Sequence, residues 1–383
     1  VLSLGIALFE RRHTKTEKRI SYRCQVFNVL TLCSEPFTME PDALQFLAAH
    51  AFDFNRYVSM GMPYHAAHTS TKECSLRSLF DELLSPSVPL ALHNGLVDLV
   101  FLYAHLYTSP PSTLSAFIAD LAELFPGAEV EDAGGAVVVD SKYVAEFLER
   151  TPASYLEYVF RRSQRENYME SAEARVHIKC SFGGLAFEAA SASERELVNC
   201  ALPPNFPELS IDESSSEKLC AQFGNHGFCR QGMSCKRTHD VDLVLDLEQY
   251  KAEKQRRRRK RRLEAQAGLE RSGDREDSAS TCSSNTMKGG DSCKQPFSVT
   301  GAHRAGVDAF MTGFSILYNC RMNLIKEQRL PKQILNKIPL SGKDRPLLIE
   351  SSRLVEPSEC HRNRFMLVKA ARNKITLANS ALE

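Results

Sequence analysis

Four residues whose side chains can bind zinc lie close together in this chain, and their spacing constrains its fold more than any other feature. They are Cys220, Cys229, Cys235 and His239, in the pattern C-x8-C-x5-C-x3-H. Thiolate and imidazole ligands can close a tetrahedral zinc site, and the metal then supplies the folding free energy that so short a segment lacks. We therefore predict a small Zn²⁺-binding unit over residues 214–241.

Aromatic and basic residues lie between these ligands. They are Phe223, Phe228, Arg230, Lys236 and Arg237. The spacing resembles that of the Cys-Cys-Cys-His zinc fingers, many of which bind single-stranded RNA by stacking bases on exposed rings and holding the backbone with basic groups. Two other interpretations stay open, which are a zinc fold that contacts only proteins and a coincidental spacing.

A run of basic residues follows the cysteine cluster, within a predicted helix over residues 242–263. It consists of Lys254, Arg256, Arg257, Arg258, Arg259, Lys260, Arg261 and Arg262. The net charge of the chain is only +1, so this run is a local feature and not part of a uniformly basic surface. Such blocks are typical of nuclear localisation signals and nucleic-acid patches. We predict recognition by a nuclear import receptor, with phosphate contact compatible; the alternative is a solvated helix end.

The hydrophobic pattern predicts globular stretches separated by a polar segment. Residues 1–207 alternate strand-like and helix-like runs, which is typical of an α/β domain. Residues 264–300 are rich in Ser and poor in large apolar residues, so we expect a disordered linker there. The globular pattern returns over residues 301–350, and residues 351–383 stay unassigned.

Individual elements follow from periodicity and turn residues. The predicted strands cover residues 1–9, 22–33, 88–92 and 137–140, and the predicted helices cover 41–51, 76–84, 96–107, 112–125, 143–150, 154–165 and part of 301–325. The twelve cysteines do not indicate a disulfide framework in so long a chain. For that reason we expect a reducing compartment. The apolar window at 88–107 contains His93, Asn94 and Asp98, so we expect a soluble protein with no membrane partner.

Two aspartates lie at the predicted starts of helices that are far apart in the chain. Asp98 follows a buried strand in the sequence H-N-G-L-V-D, and Asp308 lies in H-R-A-G-V-D, which begins at His303. Taken alone, each aspartate is explained by the favourable interaction of an acid with a helix amino terminus.

Together these sequences resemble the second and third motifs of the DEDD-type 3′–5′ exoribonucleases. Within that family they are similar to the poly(A)-specific deadenylases, and the segment from Asp140 to Tyr143 also resembles these enzymes. The resemblance implies an RNase H-like α/β fold, with a mixed sheet flanked by helices and interrupted here by the Cys-Cys-Cys-His finger. Nuclease domains interrupted in this way resemble nuclear deadenylases of nucleoli and Cajal bodies, which trim adenylated tails of RNAs such as small nuclear RNAs.

The resemblance also implies roles for individual residues. Asp98 and Asp308 would be ligands of Mg²⁺ or Mn²⁺, and His303 would be the general base that deprotonates the attacking water. Carboxylates suit these hard cations, and a pair of ions about 4 Å apart can hydrolyse a phosphodiester. Imidazole titrates near neutral pH, as a general base requires. The implied substrates are single-stranded RNA 3′ ends with poly(A) or oligoadenylate tails.

The chain departs from the family pattern at its amino end. The first motif of the family is an Asp-x-Glu on the first strand, and no such sequence precedes Asp98. The chain opens without Met on a strand-like run, so we expect a truncated enzyme that is inactive as written. The alternative is an RNA-binding scaffold whose nuclease domain no longer cuts. A zinc-finger transcription regulator is a third interpretation, but it leaves Asp98 and Asp308 unexplained.

Overall fold

The computed structural model shows a mixed α/β protein. It describes residues 1–13, 18–49, 52–70, 72–84, 88–127, 136–182, 200–203, 206–208, 211, 215–269 and 304–380. Two compact units are present: the first combines Val1–Asn199 with Gly301–Glu383, and the second is Cys200–Thr300. We call the first the nuclease unit, after the family that its motifs resemble, and the second the finger unit. The predicted linker at 264–300 lies outside the described residues from position 270 onward.

A long antiparallel pair of strands opens the nuclease unit. Strand β1 (Ser3–Arg12) pairs with β2 (Arg19–Cys33) from Ser3 opposite Leu30 to Arg12 opposite Ser21. The two strands are rich in β-branched and aromatic residues, which suit a pleated and half-buried surface. Both predicted strands are confirmed, and each extends beyond its predicted bounds.

Two strands that the sequence patterns did not predict pair in parallel with β2. Strand β3 (Met62–Tyr64) pairs with its carboxyl end, and a late strand, His177–Phe182, pairs with its amino end. Parallel and antiparallel pairs therefore share one sheet. The late strand does alternate polar and apolar residues, in the sequence H-I-K-C-S-F, and its place is fixed by the pairing with β2.

Helices and a second parallel pair of strands complete this part of the chain. The helices are α1 (Pro41–Ala49), α2 (Phe54–Met60), α3 (Ser75–Leu84), α4 (Leu96–Leu102), α5 (Leu114–Leu124), α6 (Ser141–Tyr143) and α7 (Leu156–Ala172). Helix α4 continues as a π-helix over Tyr103–Tyr107, and α6 continues as a π-helix over Val144–Glu149. Strand β4 (Leu90–Leu92) pairs in parallel with β5 (Val138–Asp140), and His177–Phe182 is β6.

The core of the nuclease unit lies among α3, α4, α5 and β5. Its most buried side chains include Tyr64, Leu76, Leu84, Leu99, Tyr103, Leu106, Tyr107, Phe117, Leu121, Leu124, Phe125, Val138 and Ile338. Burying one such side chain stabilises the fold by about 1.5–3 kcal/mol. This core holds the strand β4 and the helix α4 that precede and carry Asp98.

In its described residues, the finger unit has short helical segments and one long helix. These are α8 (Ser215–Lys218), α9 (Ala221–His226), a 3₁₀ turn at Gly232–Ser234 and α10 (Val241–Leu269). The predicted helix at 242–263 is therefore present and ends six residues later than expected. Val241, Val244 and Leu245 are buried, so apolar packing anchors the first turns of α10.

The chain returns to the nuclease unit with α11 (Ala305–Asn319) and α12 (Arg321–Lys326). Small residues let α11 lie close to the first two strands. A Cβ atom on Gly5 would lie 1.8 Å from the Ala305 carbonyl oxygen, and one on Gly306 would lie 2.8 Å from the Phe27 carbonyl oxygen. The amino end of α11 is thereby fixed against β1 and β2.

The last residues form a structure that the sequence left unassigned. Strands β7 (Lys337–Ile338) and β8 (Leu347–Leu348) pair with each other, and α13 (Glu359–Ser380) follows. Ser358 donates from its backbone N–H to the buried Asp120 carboxylate at 2.7 Å, which holds the start of α13 against α5. Among the described residues, no helix is both long and apolar enough to cross a membrane.

Candidate functional site

A tight turn places Asp98 at the start of α4. The turn is His93-Asn94-Gly95, between β4 and α4, and Asn94 has a φ of 55°, a left-handed conformation that Asn tolerates better than most residues. A Cβ on Gly95 would lie 2.5 Å from the Leu92 Cβ, so this position requires glycine. The H-N-G sequence is thus explained by the backbone geometry that starts the helix.

The buried carboxylate of Asp140 binds this turn from the end of β5. Its Oδ1 accepts hydrogen bonds from the Asn94 N–H at 3.1 Å, the Lys142 N–H at 2.9 Å and the Tyr143 N–H at 3.2 Å. Its Oδ2 accepts from the Gly95 N–H at 2.8 Å. Burial raises the pKa of Asp140, while these four N–H groups act in the opposite direction.

A second contact joins the turn to the same segment. The His93 Nδ1 and the Ser141 hydroxyl are 2.8 Å apart and share a hydrogen bond. Burial, together with the nearby positive charge of Lys142, lowers the pKa of His93 to about 3. The imidazole is therefore neutral at physiological pH, which fits a structural hydrogen bond.

The carboxylate of Asp98 lies on the exposed face of α4. Partial desolvation raises its pKa. The neighbouring Phe101 is 51% exposed and stacks on the ring of His105 at a centroid distance of 5.8 Å. Phe101 follows Asp98 by three positions, so both lie on the same face of α4. Tyr103 and Tyr107, in the π-helix that continues α4, are buried.

Asp308 lies in the first turn of α11 and is partly buried. The start of this helix is held by the Gly306 N–H, which donates to the Asn28 side-chain oxygen at 3.3 Å. Helix α11 also contacts β4, the strand that leads into the Asp98 turn. The fold thus brings the elements carrying the two aspartates together. His303 lies outside the described residues.

The two aspartates do not make a complete metal site by themselves. Within the part of the chain that the structure describes, only the Cys-Cys-Cys-His group brings three or more potential ligands together. The sequence also contains no Asp-x-Glu before Asp98. Two carboxylates are fewer than a two-ion phosphodiesterase needs, so we derive no catalytic step through a metal ion.

In the finger unit the four predicted zinc ligands converge. The ligand atoms of Cys220, Cys229, Cys235 and His239 all lie within 4.8 Å of one another. A bridge between Leu219 and Thr238 explains part of this geometry, because it brings the residues beside them together. The Cys220 N–H donates to the Thr238 carbonyl at 3.1 Å, and the Thr238 N–H donates to the Lys218 carbonyl at 2.8 Å.

The chemistry of this group fits zinc. Among the residues that the structure describes, no group forms a hydrogen bond with the buried Nε2 of His239, which is unfavourable unless a metal binds there. The Phe223 backbone N–H, acting on the sulfur of Cys220, lowers the pKa of that thiol to about 6, so it is a thiolate at neutral pH. The Phe223 ring stacks on His239 at a centroid distance of 4.8 Å and holds the imidazole in place.

The surface of the finger unit is basic and partly aromatic. Phe228 is 61% exposed, and Arg230, Lys236 and Arg237 are exposed around it. The predicted basic run is also exposed, from Arg256 to Arg262 on α10. Glu253 pairs with Arg257 at 3.9 Å, and Glu264 pairs with Lys260 at 3.7 Å. The other basic residues from Arg256 to Arg262 take part in neither of these two ion pairs.

One residue of the site was not recognised from the residues alone. Asp140 stood out only because its segment resembles the family, and no pattern in the sequence indicates that it contacts Asn94 and Gly95. Those contacts depend on the parallel pairing of β4 with β5, in which Leu92 lies opposite Asp140. A buried strand that ends in Asp beside a predicted H-N-G turn is the signal that could have indicated it.

Comparison with known families agrees with this arrangement. The family described as CAF1 family ribonuclease matches residues 1–75 and 65–316, which together span most of the chain and include Asp98, Asp140 and Asp308. Its members are ribonucleases that use divalent metals, and the family implies an RNase H-like fold. The mixed sheet agrees with this fold, and the matched residues include the aspartates at the starts of α4 and α11. The chain belongs to the CAF1 family of ribonucleases.

Proposed function

We propose that this protein is a nuclear 3′–5′ exoribonuclease that trims adenylated 3′ ends of RNA, such as those of small nuclear RNAs. Asp98 and Asp308 would bind Mg²⁺ or Mn²⁺, and His303 would deprotonate the attacking water. The observation that carries the proposal is the convergence of the Asp98 and Asp308 elements on β4 in a chain of the CAF1 family.

A type of enzyme within the family is also part of the proposal. A nuclease domain interrupted by a Cys-Cys-Cys-His finger and a basic helix resembles the nuclear deadenylase called Target of EGR. The exposed Phe228 and its basic neighbours support a role for the finger in holding single-stranded RNA. Zinc would be the structural cofactor of the finger, held by Cys220, Cys229, Cys235 and His239.

The enzymatic proposal is tested with a 5′-labelled RNA that ends in oligoadenylate, incubated with Mg²⁺. Three proteins are compared: the present sequence, a version extended at its amino end to include an Asp-x-Glu strand, and the extended version with Asp308→Ala. We expect stepwise shortening by the extended protein alone, because both ions need four carboxylates. An RNA with a non-adenylate 3′ end tests the base preference.

The runner-up is an RNA-binding scaffold with an inactive nuclease fold, which the exposed Phe228 and the basic surface of the finger unit would also support. Binding of the labelled RNA without shortening by any of the three proteins would support the scaffold. Shortening that survives Asp308→Ala would contradict both proposals, since it would place the cutting activity elsewhere.

Nuclear import is the part of the proposal that the basic run supports. Replacing Arg256 to Arg259 by Gln should move a fluorescent fusion from the nucleus to the cytoplasm, whereas replacing the same four residues by Lys should not. The Lys variant keeps the positive charge that import receptors recognise. Equal nuclear accumulation of all three proteins would contradict this role, and enrichment in nucleoli or Cajal bodies is scored in the same cells.

A further inference from the structure

We propose that Asp140 is a positioning residue for the Asp98 helix, and that its Oδ2 atom carries this role. The inference rests on the proposed function, because it assumes that Asp98 acts in the ribonuclease site. Asp140 itself is fully buried at the end of β5 and accepts its hydrogen bonds from backbone N–H groups, so it contacts neither solvent nor the exposed Asp98 face.

The two oxygens of this carboxylate have different partners. Oδ1 accepts from Lys142 and Tyr143, which start its own helix α6, and from Asn94. Oδ2 accepts from Gly95, the residue immediately before α4, at 2.8 Å. One oxygen therefore mainly caps a local helix, as an N-cap aspartate does. The other reaches across the sheet to the start of the helix that carries Asp98.

The strand that presents Asp140 is itself held firmly. The Asn336 side-chain oxygen accepts from the Val138 N–H at 3.0 Å, and its amide donates to the Phe125 carbonyl at 2.6 Å. The Val138 carbonyl accepts from the Asn336 N–H at 2.7 Å. These bonds hold the end of β5 in place. The hydrogen bond from the Gly95 N–H to Oδ2 then fixes the Asp98 turn relative to β5.

An Asp140→Asn substitution separates the two roles. If the amide oxygen takes the place of Oδ1, the cap on Lys142 and Tyr143 remains. The amide NH₂ then replaces Oδ2 and faces the Gly95 N–H, so that two donors oppose each other. The substitution therefore keeps the volume and the local cap but removes the bond that holds the start of α4.

Asp120 supplies a matched control. It is also a fully buried aspartate, and it also holds the start of a helix, through the Ser358 N–H at 2.7 Å and the Ser358 hydroxyl at 2.8 Å. That helix is α13, which carries no residue of the candidate site. Its third partner is the Tyr103 hydroxyl, which can accept from an amide as readily as it donates to a carboxylate.

The experiment measures amide hydrogen exchange of the peptide containing residues 93–98, the melting temperature, and kcat and KM for trimming of 5′-labelled oligoadenylated RNA. All are measured on the version extended at its amino end, which is the one expected to trim RNA. For Asp140→Asn we expect faster exchange of that peptide, kcat lowered about tenfold and KM within about twofold of wild type, as for other residues that orient active-site groups through hydrogen bonds. For Asp120→Asn we expect a comparable loss of melting temperature with unchanged exchange at 93–98 and unchanged kcat.

Two results would overturn the proposal. One is unchanged exchange and kcat in Asp140→Asn, and the other is an equal loss of kcat in both variants, which indicates general destabilisation. If Asp140→Asn does not fold, Ser141→Ala, which removes only the partner of His93 Nδ1, should show a smaller change in the same direction, and no change would count against the proposal. Faster exchange in a protein that trims no RNA would contradict the proposed function while keeping the Asp140 contact.

Discussion

The zinc-ligand group and the pair of aspartates are built in opposite ways. The four zinc ligands lie between positions 220 and 239, and a single bridge between Leu219 and Thr238 helps to bring them together. Asp98 and Asp308 are 210 positions apart, and the segments around them are brought together by the packing of α11 against β4, the strand that leads into the Asp98 turn. A local site can be recognised from spacing, whereas a long-range site depends on every contact that places its elements.

This difference predicts how each site fails. Loss of one ligand should unfold the finger locally, because the metal replaces a hydrophobic core there. Loss of one aspartate should leave the nuclease unit folded, because its core is built from other residues. Substitutions in each site test this contrast.

Cys229→Ser should abolish zinc binding, a loss on the order of 10 kcal/mol in binding free energy. Zinc content is measured by a colorimetric release assay, and the fold of the finger unit by amide exchange over residues 215–245. In the version extended at its amino end, the rate of RNA trimming per mole of protein should not change. Cys74→Ser, at a cysteine with no disulfide in the nuclease unit, is the control. A stoichiometric zinc content in Cys229→Ser would show that the cluster is not the metal site.

In the version extended at its amino end, Asp308→Asn should lower kcat for trimming about a thousandfold, the loss typical of removing a group that stabilises charge in a transition state. The isosteric amide keeps the shape of the first turn of α11, so the melting temperature should shift by only a few degrees. Zinc content should not change, because the ligands belong to the other unit. A comparable loss of trimming in Cys229→Ser would contradict the independence of the two sites.

The unfolding free energy of the nuclease unit should fall in acid partly because of His93. Its folded pKa is about 3 against an ordinary value of 6.5. Between these values the unfolded chain binds a proton that the folded chain excludes, so stability is complete above pH 6.5 and decreases toward pH 3. The slope is at most about 1.4 kcal/mol per pH unit. In urea titrations from pH 7 to pH 4, His93→Asn should flatten this slope, and His226→Asn in the finger unit should not.

Phe101→Ala should weaken RNA binding about fivefold, because an exposed ring beside the Asp98 face can stack a base. The dissociation constant for oligoadenylate is measured by fluorescence anisotropy with Asp308→Asn present, so that the RNA is not cut. Leu114→Ala is the control, since Leu114 is 59% exposed on another helix. Equal weakening by both substitutions would show that the ring has no special role.

Much of the local structure could be predicted from periodicity and turn residues. The strands β1 and β2, the helices α3 and α5, and the starts of α7 and α10 lie within a few residues of their predicted positions. Each has an amphipathic or alternating pattern with clear ends. The strands β3 and β6 and the helix α13 were not predicted. Strand β3 has only three residues, and β6 carries an alternating pattern that could have indicated it. The described side chains of α13, over residues 359–370, are mostly exposed.

The spacing of the sequence was enough to predict the Cys-Cys-Cys-His group, and the structure brings these four side chains together. The motifs also indicated Asp98 and Asp308. The surroundings of the two aspartates follow from the folded structure: Asp140 binds the Asp98 turn, Phe101 is exposed and His93 is neutral. These depend on the pairing of β4 with β5 and on burial, which are non-local and leave no mark in the spacing of residues.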